Sequence, residues 1–90
     1  MNKSELVSAI AKEADITKEV AYRVLDATLK SIESALKSGD QVSLVGFGSF
    51  LVRERAERQG RNPKTGEVMT IKASKSPVFK AGKILKDSVN

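Results

Sequence analysis

The sequence contains no cysteine and no histidine in 90 residues. Without thiols it cannot form disulfides or use a thiolate nucleophile. Without imidazole it lacks the usual acid–base group and the ligands of nearly every transition-metal site. We therefore expect no bound metal and no cofactor.

Long apolar segments are also missing, since no run approaches the about 18 residues of a membrane-spanning helix. Met1 is followed at once by a polar, helix-forming stretch rather than a secretory signal. The hydrophobic content of 40 % and charged content of 30 % are typical of a soluble, folded chain. We expect a cytoplasmic protein that does not interact with membranes.

The net charge of +5 is unevenly distributed. Residues 1–45 carry six cations and seven acids, a net charge of −1, whereas residues 46–90 carry ten cations and four acids, a net charge of +6. A near-neutral half joined to a cationic half indicates a scaffold with a surface for a polyanion such as nucleic acid. The alternative is a lysine-rich face that only maintains solubility.

Hydrophobic spacing predicts a helical hairpin over residues 1–39. Asn2 can cap the first helix with Glu5 nearby, and Thr17 can cap the second, which ends at Gly39. The apolar positions fall on one face of each helix: Leu6, Ala9, Ile10 and Ala14 in the first, and Ala21, Val24, Leu25, Thr28, Leu29, Ile32, Ala35 and Leu36 in the second.

After Gly39 the hydrophobic period changes from that of a helix to that of a strand. A short strand over 41–45, a tight turn at 46–48 and an alternating strand over 49–59 are predicted. A final helix over about 82–89 would turn Ile84, Leu85 and Val89 inward. The prediction is a single α+β domain with a helical base (1–39), a three-stranded antiparallel sheet body with a short C-terminal helix (40–52 and 76–90) and a β-ribbon arm (53–75).

The arm carries seven cations against three acids and has few side chains of core size. About ten residues beyond the packed base extend roughly 30 Å, and an isolated two-stranded ribbon is only marginally stable. We therefore expect an arm that is mobile in the free protein, with a disordered tip. Four of its cations are arginines, which suit phosphate oxygens and the narrow minor groove of DNA. A charged edge hairpin protected from aggregation is the alternative, but it does not explain a projection of a quarter of the chain.

The tip sequence GRNPKTGE, residues 60–67, allows two interpretations of Pro63. Arg61 and Asn62 can reach the acceptors of a minor groove, and a proline at the end of a cationic ribbon can be inserted between base pairs. Pro63 can equally form an ordinary turn, with Gly66 as its left-handed residue. Spacing alone does not choose between a wedge and a turn.

Four blocks of sequence together resemble the bacterial histone-like HU / integration host factor family. They are Gly46-Phe47-Gly48-Ser49-Phe50, Arg53-x-Arg55-Ala56-x-Arg58, Gly60-Arg61-Asn62-Pro63-x-Thr65-Gly66 and Pro77-x-Phe79-Lys80-x-Gly82-Lys83. The likeness covers essentially the whole chain. It implies an intertwined homodimer that binds double-stranded DNA in the nucleoid without sequence specificity and bends and compacts it, with bent, nicked or gapped forms preferred.

The resemblance also implies residue roles, and it favours Pro63 as the intercalating wedge. Arg55, Arg58, Arg61 and Asn62 would line the minor groove. The backbone of Gly46 and Gly48 would approach phosphates closely. The cations expected to meet phosphates are Lys3, Arg53, Lys64, Lys72, Lys75, Lys80, Lys83 and Lys86. The residues expected in the dimer core are Leu29, Ile32, Leu36, Leu44, Phe47, Phe50 and Phe79. Tyr22, Glu54 and Glu57 receive no role.

Three other functions fit less well. The segments Ser34-Ala-Leu-Lys37 and Lys64-Thr65-Gly66 match two signatures of serine acyl-enzymes, but the third is absent and 90 residues cannot enclose such a site. We therefore expect no enzyme. A sequence-preferring DNA-bending protein resembling integration host factor stays open. RNA-binding modules use exposed aromatic rings, and the three phenylalanines here are needed for the core, although structured RNA stays a compatible partner.

Overall fold

The computed structural model describes residues 1–90 and contains three helices and five strands. In chain order they are α1 (Lys3–Ala14), α2 (Lys18–Lys37), β1 (Val42–Leu44), β2 (Gly48–Arg55), β3 (Arg58–Arg61), β4 (Val68–Ile71), β5 (Ser74–Ala81) and α3 (Lys83–Ser88). The chain divides into two compact units, Met1–Ala35 and Leu36–Asn90. No helix is long and apolar enough to cross a membrane.

Local capping fixes the ends of the first two helices as predicted. The Asn2 side chain accepts a hydrogen bond from the Glu5 N–H at 2.9 Å, and Thr17 Oγ1 accepts one from the Val20 N–H at 3.2 Å. Helix α1 ends at Asp15, whose left-handed backbone (φ 55°) donates its N–H to the Ala11 carbonyl. After α2, Gly39 takes a φ of +83° that only glycine adopts freely.

The buried core of the protomer is small and lies in the first unit. Val7, Ala11 and Ala21 are its buried members. Ile10, Ile16 and Leu25 pack against them and are partly buried. Of the predicted face of α1, Ile10 packs against this core, whereas Leu6, Ala9 and Ala14 are exposed in the protomer. The buried residues of α1 are instead Val7 and Ala11, which lie one turn apart.

The three-stranded sheet has the order β1-β2-β5, and both pairings are antiparallel. Strands β1 and β2 are joined by a tight turn in which the Phe47 N–H donates to the Leu44 carbonyl at 3.0 Å and Gly46 has a φ of +84°. Strand β2 pairs with β5 along its whole length, from Gly48 with Ala81 to Arg55 with Ser74. The predicted α+β architecture with its three-stranded antiparallel sheet is confirmed.

The predicted continuous strand over 49–59 is in fact two strands. Strand β2 ends at Arg55, and β3 pairs with β4 in a separate two-stranded sheet that we call the outer ribbon. Two residues on each strand separate the sheets, and we call these four residues the joint: Ala56, Glu57, Lys72 and Ala73. Neither alanine has a side chain large enough to pack across strands and hold the pairing there.

The final helix begins after Gly82, whose N–H donates to the Phe47 carbonyl at 2.8 Å. Leu85 is partly buried, but Ile84 and Val89, predicted to point inward, are 67 % and 76 % exposed. A helix of six residues is shorter than two turns and presents only a narrow face to its surroundings.

Candidate nucleic-acid interface

The inner part of the arm alternates charges along β2. Arg53 and Arg55 lie on one face of the strand, and Glu54 lies on the other, opposite Lys75 of β5. Glu54 and Lys75 form an ion pair of 3.6 Å, and both side chains are more than 70 % exposed. Lys75, predicted to meet phosphate, is therefore partly neutralised by an acid on its own sheet, whereas Arg53 and Arg55 have no acidic partner.

The joint preserves the strand register. Arg55 pairs with Ser74 before it, and Arg58 pairs with Ile71 after it, so each strand contributes two intervening residues. There is consequently no bulge. Lys72, a predicted phosphate contact, lies in the joint and is exposed.

The outer ribbon carries Arg58 and Arg61 on opposite faces, since they are three residues apart on β3. Gly60 lies between them and is crowded: a Cβ added there would be 2.9 Å from Ile71 Cδ1. The Ile71 side chain thus covers the backbone of Gly60. Both arginines are exposed and form no ion pair.

The tip of the arm, residues 62–67, is a hydrogen-bonded turn, which we call the tip turn. The Asn62 N–H donates to the Glu67 carbonyl at 2.9 Å and closes the ribbon, and the Gly66 N–H donates to the Asn62 carbonyl at 2.8 Å. Gly66 has a φ of +73°, as predicted for the left-handed residue of the turn. Pro63 and Lys64 lie at the outer end and are exposed. The mobility of the tip stays a prediction.

A second group of predicted residues surrounds the turn between β1 and β2. Gly48 is buried, and a Cβ there would be 2.6 Å from both the Lys80 carbonyl oxygen and Phe79 Cζ. Packing against Phe79 therefore requires a glycine at this position. Gly46 is exposed. Exposed lysines occupy β5 and α3: Lys80, Lys83 and Lys86.

Lys3 is held within the helical unit. Its Nζ donates to Asp26 Oδ1 at 2.7 Å and lies 4.7 Å from the centre of the Tyr22 ring. The hydrogen bond to Asp26 raises the pKa of Lys3 above its ordinary value. A phosphate that binds Lys3, as predicted, would thus compete with the Asp26 carboxylate and the face of the Tyr22 ring.

The residues predicted for a dimer core remain largely open in the protomer. Phe79 lies between two other rings, with centroids 5.4 Å from Phe47 and 4.9 Å from Phe50. Even so, Phe47 is 46 % and Phe79 is 40 % exposed. The remaining predicted members are exposed or only partly buried: Leu29, Ile32, Leu36 and Leu44.

Comparison with known proteins identifies the family. All of the chain, residues 1–90, matches the family model described as bacterial DNA-binding protein. The chain belongs to the HU family of bacterial DNA-binding proteins. It is 65 % identical over 89 residues to the DNA-binding protein HU-beta of Neisseria meningitidis serogroup A, covering 99 % of this chain and 100 % of that protein. It is 63 % identical over 90 residues to HU-beta of Pseudomonas aeruginosa, covering both completely.

A solved structure shares the fold. The chain of Anabaena HU in a cocrystal with DNA superposes with a TM-score of 0.88 at 55 % sequence identity, covering 99 % of this chain and 97 % of that chain. The family resemblance inferred from the sequence is therefore confirmed.

Within this HU-family member, sequence reasoning missed two contributors to the electrostatics. Tyr22 and Asp26 both contact Lys3. Their spacing of one helical turn on α2 places them on the same side of that helix. That spacing indicates that the two side chains can share a partner. The partner, Lys3, lies 23 residues from Asp26 in sequence and could not be assigned without knowing how α1 packs on α2.

Proposed function

We propose that this protein is a homodimeric, architectural DNA-binding protein of the bacterial nucleoid that bends and compacts duplex DNA with little sequence preference. The observation that carries the proposal is the exposed cationic arm, residues 53–75. It projects unpaired arginines and a proline tip from a sheet that gives them no protein partner.

Charge supports DNA as the partner. The arm has seven cations and three acids, and its one ion pair, Glu54 with Lys75, leaves all four of its arginines available. Planar guanidinium groups match phosphate oxygens and are attracted to the negative potential of a narrow minor groove. The HU-beta relatives are named DNA-binding proteins, and Anabaena HU was crystallised with DNA.

The small core supports a dimer. A chain of 90 residues with three buried hydrophobic residues, none of them larger than valine, buries too little apolar surface to be stable alone. Half-exposed Phe47, Phe79, Leu29 and Leu44 provide the missing apolar area once a second copy covers them. In this arrangement the arms of the two subunits would embrace one duplex.

Bending is assigned to the tip. Pro63 is exposed at the end of the arm, is rigid and has no N–H group, so it can enter a base step and unstack it. Arg58 and Arg61 would hold the tip in the minor groove, and the cations nearer the body would neutralise phosphates. A nicked or gapped duplex bends at lower cost and should be preferred.

A salt titration tests the electrostatic part. Affinity for a random duplex should fall steeply with salt, by about 0.9 log units per log unit of salt for each phosphate neutralised. Fluorescence anisotropy at several salt concentrations measures the slope. A slope near zero would remove the basis for DNA binding through the arm.

The Pro63→Ala variant tests the wedge. We expect it to bend a 30-bp duplex less and to lose preference for nicked over intact DNA, because alanine cannot replace the rigid ring between base pairs. Affinity for intact duplex should change less than the bend, since the arginines remain. Energy transfer between dyes at the duplex ends reports the bend, and an unchanged transfer efficiency would refute the wedge.

A further inference from the structure

The tip turn satisfies nearly all of its own backbone donors. Of the five N–H groups in residues 62–67, Pro63 having none, four donate hydrogen bonds within the turn: those of Asn62, Lys64, Gly66 and Glu67. The Asn62 and Gly66 donors use backbone carbonyls. The other two use side chains, which makes those side chains part of the turn.

Asn62 has the larger share in this arrangement. Its Oδ1 accepts the Lys64 N–H at 2.9 Å across Pro63, while its carbonyl accepts the Gly66 N–H at 2.8 Å. Thr65 Oγ1 accepts the Glu67 N–H at a longer 3.3 Å. Asn62 is also partly buried, whereas the two residues that follow it, Pro63 and Lys64, are exposed. The Asn62 side chain therefore lies against the turn and does not project freely.

These hydrogen bonds of the backbone N–H groups matter when the tip is inserted between base pairs. A proline wedge removes the surrounding backbone from water, and a donor that loses water without finding an acceptor costs about 1–3 kcal/mol. Asparagine and threonine side chains commonly supply this local acceptor in turns. A tip whose donors are already paired can enter the stack at lower cost.

We propose that Asn62 is a positioning residue for Pro63: its Oδ1 closes the tip turn and pairs the Lys64 N–H, so that the wedge is rigid and free of unpaired donors beside it. The proposal rests on the proposed function, in which Pro63 is the wedge. It differs from the expectation that Asn62 acts by reading base edges through its amide NH2 group.

Two substitutions separate these roles. Asn62→Ser keeps an acceptor that can bond the Lys64 N–H but has no amide group, whereas Asn62→Gln keeps the amide on a longer chain that no longer fits the turn. Positioning predicts near-normal bending for Asn62→Ser, and a bent population reduced about three- to tenfold for Asn62→Gln and Asn62→Ala, the range expected for one hydrogen bond. Bending is measured by energy transfer on a 30-bp duplex at saturating protein.

A measurement without DNA follows the turn directly. The exchange rate of the Lys64 amide proton, measured by NMR on the full chain, should be slowed in the native protein and in Asn62→Ser, and faster by at least about threefold in Asn62→Gln. Melting of each variant checks that the fold is kept, because the tip lies outside the buried core.

The proposal is overturned if Asn62→Gln bends DNA normally while Asn62→Ser does not, since the amide would then be the active group. It is equally overturned if both variants bend normally, if both are impaired, or if the Lys64 amide is unprotected in the native protein. Pro63→Ala is the reference. Normal bending by Pro63→Ala would refute the wedge of the proposed function. If Pro63→Ala bends DNA less while all Asn62 variants bend it normally, only the positioning role of Asn62 is refuted.

Discussion

Lys3 of the helical unit and the arginines of the arm differ in whether an acidic side chain neutralises them. In the helical unit, Lys3 is bonded to Asp26 and lies against Tyr22. In the arm, four arginines have no acidic partner, although the arm also contains Glu54, Glu57 and Glu67. The net charge of the chain therefore says little about where an anion binds. What matters is which positive groups are already neutralised within the protein.

The two regions also differ in what holds them together. The helical unit has caps at both helices and a small buried core. The outer ribbon has strand pairing, the tip turn and the contact of Ile71 with Gly60. Substitutions in the body should therefore change global stability, and substitutions in the arm should change local order and DNA bending.

The largest effect is expected from Phe47→Ala. If a second subunit covers Phe47, the change should destabilise the dimer by about 3–5 kcal/mol, as for removal of a core phenyl ring. Thermal melting and analytical ultracentrifugation measure it. Tyr22→Ala is the matched control, because Tyr22 is 48 % exposed and Phe47 46 % exposed in the protomer, but Tyr22 is outside the predicted dimer core. Equal, small effects of the two substitutions would contradict the proposed interface.

A smaller effect, confined to the arm, is expected from Gly60→Ala. The new methyl group would lie 2.9 Å from Ile71 Cδ1, so this exposed side-chain end must turn away and give up its contact with β3. That loss opposes the about 0.5–1 kcal/mol by which alanine is favoured over glycine within a strand, so the stability of the outer ribbon should change by less than about 1 kcal/mol. Amide exchange in β3 and β4 should change less than about fivefold while the melting temperature stays constant. In the double variant Gly60→Ala/Ile71→Val, Cδ1 is absent and amide exchange should be slower than in Gly60→Ala. A lowered melting temperature would show that arm and body unfold together.

The smallest effect is expected from Asp26→Asn. Because the pair with Lys3 is exposed, its loss should hardly change the melting temperature. The pKa of Lys3 should fall toward its ordinary value, since the hydrogen bond to the Asp26 carboxylate is the main cause of the raised pKa. A raised lysine pKa stabilises the folded state below the ordinary lysine pKa, and that contribution is lost as the pH rises through the raised value. Any stability difference between native protein and variant should thus disappear at strongly alkaline pH.

The freed Lys3 provides a second measurement on the same variant. If it then contacts a phosphate, the salt dependence of DNA binding should steepen by about 0.9 log units. An unchanged slope would place Lys3 outside the DNA contact surface.

Features set by neighbouring residues were predictable from the sequence. The caps at Asn2 and Thr17, the end of α2 at Gly39 and the left-handed Gly66 depend on a few adjacent positions, and all four were predicted. The change of hydrophobic period predicted the sheet and the arm, and the family blocks added the expected dimer and residue roles. The DNA-contacting and dimer-core roles stay predictions.

Features set by tertiary packing were not predictable. The buried face of α1 depends on its rotation against α2, and one position separates the predicted residue Leu6 from the buried Val7. The joint was missed because the alternation of residues continues through it without a break in register. The part of Asn62 in the tip turn is equally hidden, since an asparagine before a proline is compatible with either a turn or a base contact.

The unbroken register across the joint limits how the arm can change in evolution. An extra residue in one strand, or one in each, would exchange the faces of every position beyond it and turn Arg58 and Arg61 the wrong way. The reach of the arm can therefore grow or shrink only by two residues on both strands together, which moves Pro63 by about 6.6 Å. This step is close to the rise of two base pairs at about 3.4 Å each. If Pro63 is the wedge of each arm in the proposed homodimer, the position of each kink should consequently vary in steps of about two base pairs among relatives that keep this register.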